Sequence, residues 1–182
     1  MTNLLKEELV VLAKSSISYK EISERFLKRV QEGNLTQDEN PETHFCVYFA
    51  AFDPKLKEVF LGHHIKSGLW LFNGGHINKD EALKEAVKRE IDEELGRKID
   101  IKIPKNPSLL TITNIDNLPK QLCKRHYEIW FFMRVKKNKF FPDEKRLEKE
   151  FYETRWLTGE EAKKLVIDPE TLHGLKVIGS TF

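Results

Sequence analysis

A chain of 182 residues, 40% of them hydrophobic, can bury one sizeable core but not two of comparable size. Its 31 Lys and Arg nearly balance 29 Asp and Glu, leaving a net charge of +2, so no global field marks a general binder of nucleic acid or membranes. Cys46 and Cys123 are too few for a disulfide framework and form no CxxC pair, and they are expected as buried thiols of a cytoplasmic protein.

The start, MTNLLKEELVVLAKSS, holds only a short apolar run behind acidic residues, unlike a signal peptide. No segment approaches the roughly 20 apolar residues of a membrane span. From about Asn3 to Gln31, the spacing of Leu5, Leu9 and Leu12, and then of Ile22, Phe26 and Val30, predicts two short helices. EGNLTQDENPE reads as a linker. The expected organisation is an N-terminal helical extension over residues 1–40 and one main domain over residues 41–182.

From Thr43 the pattern changes to strands. THFCVYFAAF and EVFLGHHI are rich in β-branched and aromatic residues, and the DPKLK turn between them predicts an antiparallel hairpin. GLWLF is a further short strand that runs into a glycine pair. Beyond the helix that follows come SLLTITNI, HYEIWFFMRV and YETRWL as strands, RVKKNK as a strand end entering an exposed loop, then a helix at GEEAKKLV and another after Asp168. Strands on both sides of a central helix suggest a mixed α/β fold. Alternation in HYEIWFF sets His126, Glu128, Trp130 and Phe132 on one sheet face, where they are expected to line a pocket. Trp70, His126, Glu128 and Trp130 are the candidate substrate contacts, ordinary core packing being the alternative for each aromatic. His63, His64 and His76 match no zinc spacing and are read as structural or substrate-contacting.

The central helix, within GGHINKDEALKEAVKREIDEELG, poses an electrostatic problem. Leu83, Val87, Ile91 and Leu95 form an apolar stripe, Glu90 and Glu94 flank it, and Glu93 lies a little further round. Carboxylates crowded at the margin of a core raise one another's pKa unless a cation sits among them. Ligands that are all oxygen favour Mg²⁺ or Mn²⁺ over zinc, and such ions commonly bind substrate phosphates as well.

Gly75, then Glu81 after five residues, then after seven more the run Arg89-Glu90-Ile91-Asp92-Glu93-Glu94-Leu95-Gly96 resembles the signature of the Nudix hydrolase superfamily. Two positions depart from it. Arg97 stands where an apolar residue is expected, with Ile99 two positions on, and Asn73 replaces a frequent proline, which is expected to loosen the loop that positions Gly74.

The resemblance implies an α/β/α sandwich with a mixed sheet, and hydrolysis of the pyrophosphate of a nucleoside diphosphate linked to another moiety, such as ADP-ribose or another nucleotide sugar, or of a nucleoside triphosphate. It also implies Mg²⁺ or Mn²⁺ held by Glu93, Glu94 and the carbonyl of Gly74, with Glu90 as ligand or general base. Arg89 would orient a glutamate, and Gly75, Glu81 and Gly96 would support the motif. In some relatives the base comes from a loop outside the signature, for which Glu128, Glu150 and Glu153 are the candidates. The expected partner is a small nucleotide, with no nucleic acid or membrane; many similar proteins form homodimers, and the sequence leaves the oligomeric state open. The competing reading is a catalytically silent Nudix-fold module that binds a nucleotide or RNA, and such modules are expected to lose signature glutamates, none of which is missing here.

Overall fold

The computed structural model describes residues 4–15, 17, 19–96, 101–115 and 122–182. Arg97 and Ile99, where the helix exit departs from the signature, lie outside the described residues, as does Asn3. In chain order the elements are α1 (Leu4–Ala13), α2 (Lys20–Glu32), β1 (Thr43–Asp53), β2 (Glu58–His64), β3 (Trp70–Leu71), β4 (Asn73–His76) and α3 (Leu83–Glu94). They continue with β5 (Leu109–Asn114), β6 (Arg125–Arg134), a 3₁₀ turn at Lys137–Lys139, α4 (Glu144–Glu150), β7 (Phe151–Thr158), α5 (Gly159–Leu165) and α6 (Pro169–Gly179).

The strands form one mixed sheet in the order β3-β2-β1-β6-β5, with β4 added to β1 and β7 to β2. The pairing of β1 with β6 is parallel, from Thr43↔Arg125 to Phe52↔Arg134. The hairpin read from the sequence is present only at its turn, where Phe52 pairs with Val59 and Asp53 with Glu58. The Asp53 carboxylate fixes that turn by accepting the backbone N–H groups of Lys55, Leu56 and Lys137. Beyond the turn β1 takes β4 as its neighbour and β2 takes β7, so the two strands separate.

Period-two alternation loads both faces of the sheet. On β6, Tyr127, Ile129, Phe131 and Met133 enter one buried cluster, while Trp130 and Phe132 enter the other. The first core lies under α1, α2 and α3 and the second under α5 and α6, which makes the expected α/β/α sandwich. The N-terminal helices share the first core: Leu5, Leu9, Phe26 and Val30 are buried in the same cluster as Phe45 and Tyr127. Among the described residues no helix is long and apolar enough to cross a membrane.

Two polar contacts tie those helices to the sheet and to α3. Arg29 is buried and donates to the carbonyls of Gly33, Asn34 and Thr43, each at 2.6 Å. Ala82, at the N-cap of α3, has no side chain to cap it. Glu8 of α1 does so instead, accepting the N–H of Leu83 at 3.0 Å, while Glu85 accepts that of Ala82 at 3.0 Å. A carboxylate there also complements the positive end of the helix dipole.

Losing the cap in Glu8→Ala should cost about 1 kcal/mol of unfolding free energy. Arg29→Met, which strands three backbone carbonyls, should cost about 3 kcal/mol. Both are read from denaturant melts, and unchanged midpoints would mean that the N-terminal helices are not fastened in this way.

Candidate active site

The site begins with β4, where two adjacent glycines lie flat against β1. A side chain on Gly74 (φ +156°) would collide with the backbone of Val47 and Tyr48, and one on Gly75 would occupy the place of the Glu90 carboxylate. The loop expected to position Gly74 is therefore a strand, in register Tyr48↔Gly74 and Val47↔Gly75. Glycine weakens strand propensity, which is why local pattern misses it; what it supplies is close approach.

α3 packs its Leu83, Val87, Ile91 and Leu95 stripe into the first core and brings its acids to β4. Glu90 and Glu94 are buried, whereas the Glu93 side chain is 57% exposed, further from the core margin than its sequence position suggests. Arg89 supplies a counter-charge within the helix itself. It clamps Glu81 with Nε and Nη2 at 2.8 and 3.0 Å, donates to Glu90 at 2.7 Å and Glu93 at 3.2 Å, and reaches the carbonyl of His76 at 2.7 Å. Part of the charge that the sequence reading assigned to a metal is thus met by this guanidinium.

Glu94 is served by neutral donors instead. The buried Asn73 amide donates to its Oε2 at 2.7 Å, so Asn73 does not loosen the loop: it supplies a hydrogen bond that proline lacks. Burial pushes the Glu94 carboxyl up to about 8, with Glu90 adding to the rise and the Asn73 and Gly74 donors opposing it. Glu90 is also raised by burial, against the lowering effect of Arg89. The end of α3 is closed by Gly96 at φ +90°, a conformation that suits glycine, and by Arg146 of α4, which donates to the carbonyls of Asp92 and Glu93. Sequence reading missed α4 because its seven residues carry a single buried apolar side chain, Leu147.

Gly74, Gly75, Glu90, Glu93 and Glu94 line one cavity of about 430 Å³, together with Lys66, Arg146, Lys149 and Glu150. A second cavity of about 290 Å³ is lined by Glu128, Trp130, Asp168 and Thr171, and the two share Tyr48, His64, Leu71 and His126. The face of β6 that carries His126, Glu128 and Trp130 therefore borders the second cavity. Trp130 stacks on Tyr48 at 4.6 Å and donates to Thr111, whose hydroxyl donates to Glu128 at 2.5 Å. Burial pushes Glu128 up to about 8 as well. Trp70 lines neither cavity. Its ring stacks on His63 at 5.4 Å, under the Arg155 guanidinium. Of the three outlying glutamates, Glu150 lines the carboxylate cavity and Glu128 the second, while Glu153 is paired with Arg155.

Asn73→Ala should lower stability by about 1–3 kcal/mol in denaturant unfolding, the cost of leaving a buried acceptor without its donor. The buried titrating groups also set how the stability of the metal-free chain depends on pH. Below pH 8 the folded state takes up protons at Glu94 and Glu128 that the unfolded state, near 4.5, does not, so acidification stabilises. Burial holds His76 down to about 4, His126 to about 3 and His44 below its ordinary 6.5, so below pH 6.5 the unfolded state takes up protons that the folded state refuses. The melting temperature should therefore rise as the pH falls from 8.5 to about 6.5 and level off below, where the histidines offset the two acids; a melting temperature that falls on acidification from pH 8.5 to 6.5 would contradict these assignments.

Comparison with known proteins agrees with this geometry. The family model described as NUDIX domain matches residues 43–175. Among solved structures, the E. coli dihydroneopterin triphosphate pyrophosphohydrolase superposes with a TM-score of 0.58 at 14% identity, covering 76% of this chain and 96% of that one. A Nudix-family hydrolase from Clostridium perfringens gives 0.58 at 20% identity, covering 76% and 97%. The MutT protein of Staphylococcus aureus gives 0.56 at 19% identity, covering 78% and 98%. At these identities the structural likeness speaks to the fold, and the match over residues 43–175 of the sequence establishes that the chain belongs to the Nudix hydrolase family.

Proposed function

We propose that this Nudix pyrophosphohydrolase binds Mg²⁺ or Mn²⁺ at Glu90, Glu93, Glu94 and the carbonyl of Gly74, and cleaves the pyrophosphate of a small cytoplasmic nucleotide. The candidate substrates are ADP-ribose or another nucleotide sugar, or a nucleoside triphosphate. The observation that carries this reading is the convergence of three signature glutamates and Gly74 on one cavity. The donor set fits a hard cation: it is all oxygen, and burial raises Glu90 and Glu94, a cost that a bound cation would relieve.

When bound, the ion neutralises phosphate oxygens and lowers the pKa of a water. The chain's own residues do the rest. Lys66, Arg146 and Lys149 line the same cavity and match the charge of a diphosphate. Arg89 bridges Glu90 and Glu93 through one nitrogen, Nη1, and keeps both in place. Glu150 is the better placed of the outlying glutamates to take a proton from water, since it lines this cavity, where its Oε2 accepts a 3.4 Å bond from Lys66. Glu90 already accepts a 2.7 Å bond from Arg89 and suits the ligand role. The adjoining cavity, with Tyr48, Leu69, Leu71 and Trp130 in its wall, suits the moiety beyond the phosphates.

A nucleotide panel assayed with Mg²⁺ should reveal turnover. AMP as product would identify cleavage of ADP-ribose, and free pyrophosphate would identify a triphosphate substrate. Glu93→Gln should reduce kcat by more than about 100-fold, and Glu150→Gln by about 10²–10⁴-fold. Binding without turnover across the panel would favour the silent module, and a Glu93→Gln enzyme as fast as the parent would remove the site assignment.

A further inference from the structure

Next to the carboxylates, on the same side of the sheet as the second core, the strands assemble a different set of ligands. The order β4-β1-β6 places His76, His44 and His126 side by side: His44 pairs with His126 across the parallel ladder, and His76 lies opposite Cys46, two residues from His44. Their ring centroids are 4.7, 5.0 and 5.2 Å apart. Cys123, from the segment that enters β6, brings its sulfur to 3.7 Å from His44 Nε2. The four potential ligand atoms all lie within 4.8 Å of one another.

We propose that His44, His76, His126 and Cys123 form a second metal site, distinct from the carboxylate site, that takes one Zn²⁺ ion. Tetrahedral zinc with its usual bond lengths to nitrogen and sulfur sets its ligands roughly 3.3–3.6 Å apart. The His44–Cys123 spacing is already close to this, and small side-chain rotations bring in the rest. Two observations independent of the clustering point the same way. His126 Nε2 is buried without a hydrogen-bond partner, an uncommon state for a polar atom and one that a ligand would satisfy. His44 Nδ1 lies 2.9 Å from the Asn40 carbonyl, an acceptor that fixes the proton on Nδ1 and turns the lone pair of Nε2 toward Cys123. That is the outer-shell arrangement by which proteins orient a ligating histidine.

Three imidazoles and a thiolate favour zinc over the hard cations suited to the glutamates. Four protein ligands fill a tetrahedron, so the ion would hold structure and leave no open position for a substrate. It would join β1, β4, β6 and the entry to β6. Because the His76 carbonyl accepts from Arg89, it would also set the arginine that aligns Glu90 and Glu93.

Cobalt absorption on the full reduced chain, with Mg²⁺ in excess to occupy the carboxylate site, tests this directly. One Co²⁺ per chain should give the intense visible bands of a tetrahedral ion and a near-ultraviolet thiolate-to-cobalt charge-transfer band, both abolished by one equivalent of Zn²⁺. Cys123→Ser should remove the charge-transfer band, His44→Ala should weaken binding by more than about 100-fold, and Glu94→Gln should leave the spectrum unchanged. Absence of the charge-transfer band in the unmodified chain, a result that needs no variant to fold, would overturn the proposal, as would a band that survives Cys123→Ser.

Discussion

The site depends on how three carboxylates that line one cavity are held at the edge of a core. Two unit charges about 4 Å apart repel by roughly 4 kcal/mol at the effective dielectric of a protein surface, enough to unwind the last turn of a marginal helix. Arg89 removes much of that cost by giving a bidentate clamp to Glu81 and separate N–H groups to Glu90 and Glu93. Planar, branched donors make this possible, and a lysine at the same position would satisfy fewer of these partners. Glu94 lies outside the reach of that fork and is held by an amide and a backbone donor, which leaves it favouring the protonated state until a cation approaches.

Close approach is the second constraint. β4 comes within contact of β1 on one side and of the Glu90 carboxylate on the other because Gly74 and Gly75 carry no side chains. The same short strand supplies the Gly74 carbonyl, the Asn73 amide and the His76 carbonyl that receives Arg89. α3 in turn is capped by two elements distant in sequence, Glu8 at its start and Arg146 at its end. The N-terminal helices and α4 thereby act on the geometry of the carboxylates without contributing a ligand.

What could be read from the sequence was what is encoded locally. The apolar stripe of α3, the alternation of β6 and the eight-residue offset from Glu81 to Arg89 all survive in the structure, because period and spacing map directly onto faces. The features that were not legible depend on partners far along the chain. The glycines expected in a loop become a strand only because β1 lies beside them, and the hairpin of β1 and β2 opens because β4 and β7 compete for their edges. Trp70 has the composition of a substrate platform but packs between His63 and Arg155. His76, first grouped with His63 and His64 by proximity in sequence, belongs with His44 and His126 by sheet register, a relation that no linear spacing contains.

The central claim is that the acids of α3 and the Gly74 carbonyl together hold a divalent cation. Anomalous diffraction from crystals soaked in Mn²⁺ tests it most directly. The account predicts a manganese peak bounded by the Glu90, Glu93 and Glu94 carboxylates and the Gly74 carbonyl; crystals in which manganese binds elsewhere and leaves these oxygens without a peak would contradict it.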